Sequence, residues 1–221
     1  MYKLAIFDMD GTILNTLEDL ADSTNVTLEQ LGYAKRTVDE VRAFVGNGIR
    51  RLMEQALPEG SLKEEIDLAV EIFNKHYKDH SADKTCPYDG VIDAITELRR
   101  LGVKTAVVSN KPDYAVQDLC KEYFKGCFDY AVGEKEGIRR KPYPDSVELV
   151  LQHFDMKKED AVYIGDSDVD LKTSQNAQMD VIMVGWGFRE EALLLQLGAP
   201  FVIHHTTEIV TKVMEGRKDT N

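Results

Sequence analysis

Leu4-Ala5-Ile6-Phe7-Asp8-Met9-Asp10-Gly11-Thr12 carries four apolar residues straight into two aspartates, one residue apart, and a glycine. An apolar run bounded by Asp-Gly predicts a buried strand of the parallel type that ends in a sharp turn. Open α/β sheets bind ligands just beyond the carboxyl ends of such strands, which is where Asp8 and Asp10 fall. Two neighbouring acids repel and shed hydration unless a cation or a shared proton compensates them. Taken alone, the pair also suits an acidic strand-to-loop turn, because Asp and Gly are ordinary turn residues.

Downstream of about Gly90, strand and helix patterns alternate, which predicts right-handed βαβ units on a parallel sheet. Strands are expected at residues 103–108, 128–132, 161–164, 181–184 and 201–203, with helices near 92–101, 113–123, 145–153, 169–176, 190–197 and 207–214. Between residues 16 and 86 the pattern changes. Leu17, Leu20, Ala21 and Leu28, then Val38, Val41 and Val45, then Leu52, Met53 and Ala56, then Ile66, Ala69, Val70 and Phe73 are spaced for helices only. The expected fold is therefore α/β: a doubly wound parallel sheet with the Asp8 strand near its centre and an inserted all-helical segment. Residues 1–15 and 87–221 would form the core domain and residues 16–86 a helical cap, joined by hinges near 15–16 and 86–89.

Composition narrows the function. A formal net charge of −12 argues against a nucleic-acid footprint, which needs a clustered basic surface. An anionic substrate would have to be held by local cations rather than drawn in by the overall field. Cys86, Cys120 and Cys127 form no metal-type spacing or disulfide framework. No run is long and apolar enough for a signal peptide or a membrane span, so a cytoplasmic protein is expected, with a polar tail over residues 216–221.

Three further polar clusters follow predicted strands or open a helix: Ser109-Asn110-Lys111-Pro112, Lys141-Pro142-Tyr143-Pro144-Asp145, and Gly165-Asp166-Ser167-Asp168-Val169-Asp170. A parallel sheet lines its strand ends along one edge, so these clusters can converge on Asp8 and Asp10. A Ser-Asn pair after a strand is equally a helix cap by itself. Asp166, Asp168 and Asp170 begin like a calcium loop, but Leu171 and Ala177 stand where that loop needs Gly and Glu. His76 and His80 lie one helical turn apart without a third ligand nearby, as surface helix residues do. Trp186 in Gly185-Trp186-Gly187-Phe188 suits a pocket rim or packing of a loop on the core.

Together the stretches resemble the four signatures of the haloacid dehalogenase superfamily: DMDGT at residues 8–12, Ser109-Asn110, Lys141, and GDSDVD at residues 165–170. The resemblance covers nearly the whole chain, helical cap included. It implies a phosphatase in which Asp8 is the nucleophile that forms an aspartyl-phosphate and Asp10 is the acid and then base. Members that cleave carbon–halogen bonds lack the second aspartate. It further implies that Mg²⁺ is held by the Asp8 carboxylate, the Asp10 backbone carbonyl and Asp166, with Asp170 behind them. Phosphate would be held by Ser109, the Asn110 backbone N–H and Lys141.

In the cap, Gly46-Asn47-Gly48 breaks a helical pattern and resembles the segment that faces the active site in the phosphoglycolate phosphatase group of that family. Arg50 and Arg51 follow it, and guanidinium groups suit a substrate carboxylate. The expected partner is a small phosphorylated metabolite, with no nucleic acid or membrane, bound by a monomer or weak homodimer. A β-phosphoglucomutase-like mutase or a pyrophosphatase is the enzymatic alternative. The mutases carry Lys and Arg around the glycine segment where this chain has Val45 and Ile49, and Arg139-Arg140 departs from the usual phosphoglycolate phosphatase pattern. A catalytically silent regulatory module on the same fold would not need all four signatures.

Overall fold

The computed structural model describes residues 1–216; the remainder of the polar tail, residues 217–221, lies outside the described residues. The opening stretch forms strand β1 (Leu4–Phe7), and β2 (Leu14–Asn15) follows its turn. Helices α1 (Leu17–Gln30), α2 (Val38–Phe44), α3 (Gly48–Ala56) and α4 (Lys63–His80) come next, and β3 (Cys86–Pro87) closes the excursion. Thereafter the chain alternates through α5 (Val91–Arg100), β4 (Lys104–Pro112), α6 (Asp113–Tyr123), β5 (Tyr130–Glu134) and α7 (Asp145–His153). It ends in β6 (Ala161–Gly165), α8 (Asp168–Ala177), β7 (Asp180–Val184), α9 (Glu191–Gln196), β8 (Val202–Ile203) and α10 (Thr207–Glu215).

Six strands form one parallel sheet in the order β5-β4-β1-β6-β7-β8. β1 is inside the sheet, buried at every position, as its apolar run predicts. Its two faces serve two cores. Ala5 and Phe7 pack with residues of α5, α6 and α10, while Leu4 and Ile6 pack with residues of α7, α8 and α9, the arrangement of a doubly wound sheet. Phe7 is level with Val107 of β4 and Ile164 of β6, so the residues that follow all three strands emerge at one edge. Successive connections run to one side of β1 and then to the other, which opens a crevice at that edge.

Several boundaries differ from the sequence expectation, most by a single residue. β4 continues through Ser109-Asn110-Lys111 to Pro112, where its pairing with β5 resumes after a register shift, although its polar end lacks the look of a strand. β5 starts at Tyr130 instead of Phe128. Helix α3 starts at Gly48, so that Ile49, Leu52, Met53 and Ala56 present one buried stripe.

Helices α1–α4 bury their stripes against each other in a third cluster, with Leu28, Met53, Phe73 and Tyr77 fully enclosed; Ala115 of α6 and Phe188 of the loop after β7 join it. Among the described residues, no helix is long and apolar enough to cross a membrane. The two connections between helical segment and sheet pair with each other as an antiparallel ladder, Leu14 opposite Pro87 and Asn15 opposite Cys86. Asp19 secures this stem. It is buried and accepts bonds from the Lys84 N–H, the Thr85 N–H and the Thr85 hydroxyl at 2.7–3.1 Å. Replacing Asp19 by Ala leaves two backbone donors without their acceptor and is expected to cost ~1–3 kcal/mol, read as a lower midpoint in urea unfolding.

Candidate active site

The sheet edge brings Asp8, Asp10, Ser109, Asn110, Lys111, Lys141 and Asp166 to one cavity of ≈ 40 Å³, closed on the helical side by Leu20, Val45, Ile49, Leu52 and Tyr77. Asp8 follows β1 directly. Its Oδ1 accepts bonds from the Met9 N–H at 2.7 Å and pairs with Lys141 Nζ at 2.8 Å. No donor among the described residues reaches its Oδ2. Asp10 Oδ1 accepts a bond from the Thr16 hydroxyl at 2.7 Å and pairs with Lys111 Nζ at 3.0 Å.

Asp166 follows β6 and is completely buried. The Thr12 hydroxyl donates to its Oδ1 at 2.8 Å and the Phe188 N–H to its Oδ2 at 2.7 Å. The glycines here are a packing requirement. A Cβ on Gly11 would lie 2.4 Å from the Asp166 carboxylate, and one on Gly187 would lie 2.2 Å from the Asp166 Cβ.

Asp170 belongs to the capping box that starts α8 with Ser167. Lys141 Nζ at 2.7 Å and the Tyr163 hydroxyl at 3.1 Å fill its Oδ1. The Ser167 hydroxyl at 2.6 Å, the Ser167 N–H at 3.0 Å and the Asp166 N–H at 3.3 Å fill its Oδ2. With both oxygens used, Asp170 orients Lys141 and the loop after β6. Lys141 gives its three protons to Asp8, Asp170 and the Tyr163 hydroxyl, the last at 3.0 Å.

Electrostatics follow from this crowding. Burial and the Asp170 charge push the Asp8 carboxyl well above its usual range against the pull of Lys141. The same two causes raise Asp166 to about 7. Burial opposes ionisation of Asp170 too, but Lys141 and the Ser167 donors outweigh it and hold its pKa below the ordinary value. Burial likewise works against charge on Lys141, and Asp170 and Asp8 more than reverse it.

Asp8, Asp166 and Asp170 can each bring one oxygen within 4.8 Å of the others. In the whole site four carboxylates, Asp8, Asp10, Asp166 and Asp170, face two ammoniums, Lys111 and Lys141. The excess of two negative charges among buried groups calls for protons or one divalent cation. The donor set is all hard oxygen, and among the described residues Asp8 Oδ2 has no donor and each Asp166 oxygen has only one. Those features fit Mg²⁺.

The Asn110 side chain ties the Lys141 and Gly46 backbones to the end of β4. Its Oδ1 accepts a bond from the Lys141 N–H at 2.8 Å, and its Nδ2 donates at 3.0 Å to the carbonyls of Lys141 and Gly46. The Ser109 hydroxyl lines the cavity and accepts from the Lys111 N–H at 3.2 Å. Gly46 and Gly48 also line it, at φ +121° and +80°, values that favour glycine. The Asn47 side chain is not part of the wall; its carbonyl accepts from Arg140 Nη1 at 3.2 Å.

Arg50 does not reach the cavity. Helix α3 begins at Gly48, which turns Arg50 away from the buried stripe and onto Asp67 of α4. Arg51 pairs with Glu54 on the exposed side. His76 and His80 stack on each other on α4, and Trp186 packs its loop on the core with a bond to the Thr12 carbonyl at 3.1 Å.

Sequence reasoning assigned no role to Lys111, Tyr77, Tyr163 or Arg189. Arg189 follows Phe188, pairs with Asp168 at 2.9 Å, and donates to the carbonyls of Arg42 and Val45 at 2.9 and 2.7 Å, tying the α2–α3 turn to the sheet edge. A single sequence carries no signal for that long-range contact. Tyr77 did leave a trace, as the continuation of the apolar stripe of α4, whereas Lys111 lies in a polar run that reads as a loop.

The sequence matches the family described as haloacid dehalogenase-like hydrolase over residues 5–184. It is 36% identical over 194 residues to the phosphoglycolate phosphatase of Psychrobacter arcticus, a match covering 84% of each chain. With the phosphoglycolate phosphatase of Aquifex aeolicus it shares 31% identity over 191 residues, covering 84% of this chain and 86% of that one. In three dimensions it is similar to a crystal structure of a candidate phosphoglycolate phosphatase from Lactobacillus delbrueckii subsp. bulgaricus. The TM-score is 0.92 at 39% identity, covering 96% of this chain and 98% of that one.

Proposed function

The chain belongs to the haloacid dehalogenase-like hydrolase family, and we propose that this phosphatase acts on a small phosphomonoester, phosphoglycolate first, through an aspartyl-phosphate on Asp8. The observation that carries the reading is the Asp8 carboxylate. Two donors fix its Oδ1, while no donor among the described residues reaches its Oδ2 beside the cavity. Oδ2 attacks phosphorus, the ester P–O bond breaks, and Asp10 passes a proton to the departing alkoxide. Asp10 then takes a proton from water, whose oxygen attacks phosphorus and frees Asp8 and inorganic phosphate.

Lys141 keeps Asp8 in register and balances charge as the phosphoryl group moves. Ser109 and the Asn110 backbone N–H hold phosphoryl oxygens. Asp8, the Asp10 backbone carbonyl and Asp166 would hold Mg²⁺, which when bound neutralises charge on the phosphoryl oxygens. Residues 1–15 with 87–221 act as the core and 16–86 as a cap whose closure excludes bulk water.

The apolar wall of Leu20, Val45, Ile49 and Leu52 supports hydrolysis of a short ester over sugar-phosphate chemistry, since sugar hydroxyls pressed against it would lose their hydrogen bonds. The test is phosphate release from phosphoglycolate, glucose 1-phosphate, pyrophosphate and an aryl phosphate with Mg²⁺. Phosphoglycolate is expected to give the highest kcat/KM, chelation to stop release, and restored Mg²⁺ both to recover it and to raise the thermal midpoint. Failure to release phosphate from any ester overturns the reading.

A further inference from the structure

The chemistry above leaves one buried cation without an assignment. Lys111 is only 4% exposed, and its ammonium touches two groups, Asp10 Oδ1 at 3.0 Å and the hydroxyl of Tyr77. Its third proton has no acceptor among the described residues. The Tyr77 oxygen accepts from Lys111, and its own proton likewise has no acceptor there. Tyr77 is fully buried on α4 with its ring 4.6 Å from the ammonium, and burial raises its hydroxyl to about 12, so it stays a donor.

Lys111 thus has one proton and Tyr77 its own proton left over beside the cavity, and two spare donors in a buried place suit a ligand oxygen. Lys111 is not needed to satisfy Asp10, because the neutral Thr16 hydroxyl already donates to the same oxygen. Nor does it duplicate Lys141, which has no proton to spare. Arg189 is turned to Asp168 and to the carbonyls of Arg42 and Val45. Lys111 and Tyr77 both line the cavity, on the Asp10 side.

Resting on the phosphomonoesterase reading, we propose that Lys111 and Tyr77 form an anion subsite for a carboxylate attached one carbon from the ester oxygen of the substrate. The geometry sets that spacing. The leaving oxygen must lie against the Asp10 carboxyl to take its proton, and Lys111 Nζ stands 3.0 Å from Asp10 Oδ1. A group two bonds beyond that oxygen therefore meets the ammonium and the phenol, whereas a longer chain runs into the apolar wall. The subsite selects acidic short-chain phosphoesters over neutral ones of equal length, a role that the overall charge of −12 cannot fill.

The experiment compares kcat and KM for phosphoglycolate and for ethyl phosphate in the wild type, Lys111→Met, Lys111→Arg and Tyr77→Phe, all with Mg²⁺. The wild type is expected to prefer phosphoglycolate. In Lys111→Met the ratio of the two kcat/KM values should fall about 10- to 100-fold, chiefly through the KM of phosphoglycolate. Lys111→Arg should keep part of the preference and Tyr77→Phe should lose a few-fold of it. Any effect passed on through Asp10 reaches both esters and cancels in the ratio. A ratio unchanged in Lys111→Met overturns the subsite; if that variant does not fold, an unchanged ratio in Lys111→Gln and Tyr77→Phe does so. A wild type that cleaves both esters equally well also overturns it and leaves the phosphatase reading standing. A wild type that cleaves neither but releases phosphate from an aryl phosphate overturns the subsite, and one that cleaves no ester at all removes the phosphatase reading itself.

Discussion

Asp8→Asn is expected to lower turnover ~10⁴-fold or more while the protein keeps or gains thermal stability. The two effects have one origin. The Asp8 carboxylate is buried next to Asp170 and Asp166, and those surroundings push its pKa well above the usual carboxylate range. An amide has nearly the same shape, keeps an oxygen that can accept the Met9 N–H, and removes one of the crowded charges. Lys141 still has Asp170 at 2.7 Å as a counter-charge. What the amide cannot do is attack phosphorus. Rapid acid quenching of the wild type during turnover should trap phosphate on the protein, and the variant should trap none. Turnover within ~10²-fold of the wild type would show that the attacking group lies elsewhere. A marked drop in thermal midpoint alongside lost activity would show that Asp8 serves the fold instead.

Much of this arrangement is legible in the sequence because burial on both faces of a parallel strand leaves a continuous apolar run. Leu4 to Phe7 is such a run, and the alternation after Gly90 places it inside a sheet. The three other polar clusters could then converge on Asp8 and Asp10, since parallel strands end on one side. What the sequence hid follows from physical causes as specific. The ladder of β2 and β3 is two residues per strand, too short to show a period. Ser109-Asn110-Lys111-Pro112 is polar and reads as a loop, yet it prolongs β4 through an irregular stretch, and all four residues line the cavity. Tyr77 is four residues after Phe73 and continues the α4 stripe; only its hydroxyl, reaching Lys111, distinguishes it from core packing. Arg50 misled because its position after Gly46-Asn47-Gly48 suggested proximity to a ligand. Helical phase decided otherwise: Ile49, Leu52 and Met53 take the inward face, which leaves Arg50 to Asp67.

Lys141→Met should show the reverse balance from Asp8→Asn, with both activity and stability lost. Methionine keeps most of the volume but removes the ammonium that binds Asp8 at 2.8 Å and Asp170 at 2.7 Å. Breaking a buried ion pair from one side typically costs ~3–5 kcal/mol, and loss of transition-state charge balance should lower kcat/KM by ~10²- to 10⁴-fold. The cost should depend on pH with a definite sign. A carboxyl whose folded pKa is raised above its unfolded value of about 3.9 contributes full stability below that value and loses it as pH rises through the folded one. Asp8 is in that state in the wild type, as is Asp166, whose pKa is about 7. Metal-free wild type is therefore expected to weaken as pH rises from ~4 to ~7. Asp170, held below its ordinary value by Lys141, acts in the opposite sense at lower pH. Without Lys141, Asp170 joins the raised group, so the variant should lose more stability over the same window. Saturating Mg²⁺ adds back positive charge and should narrow the gap between the two proteins. Urea unfolding at about pH 5 and about pH 7.5, with and without Mg²⁺, reads all of this directly. Equal midpoints for variant and wild type at both pH values would mean that the three-way contact of Lys141 with Asp8, Asp170 and Tyr163 does not hold the charges of this site in place.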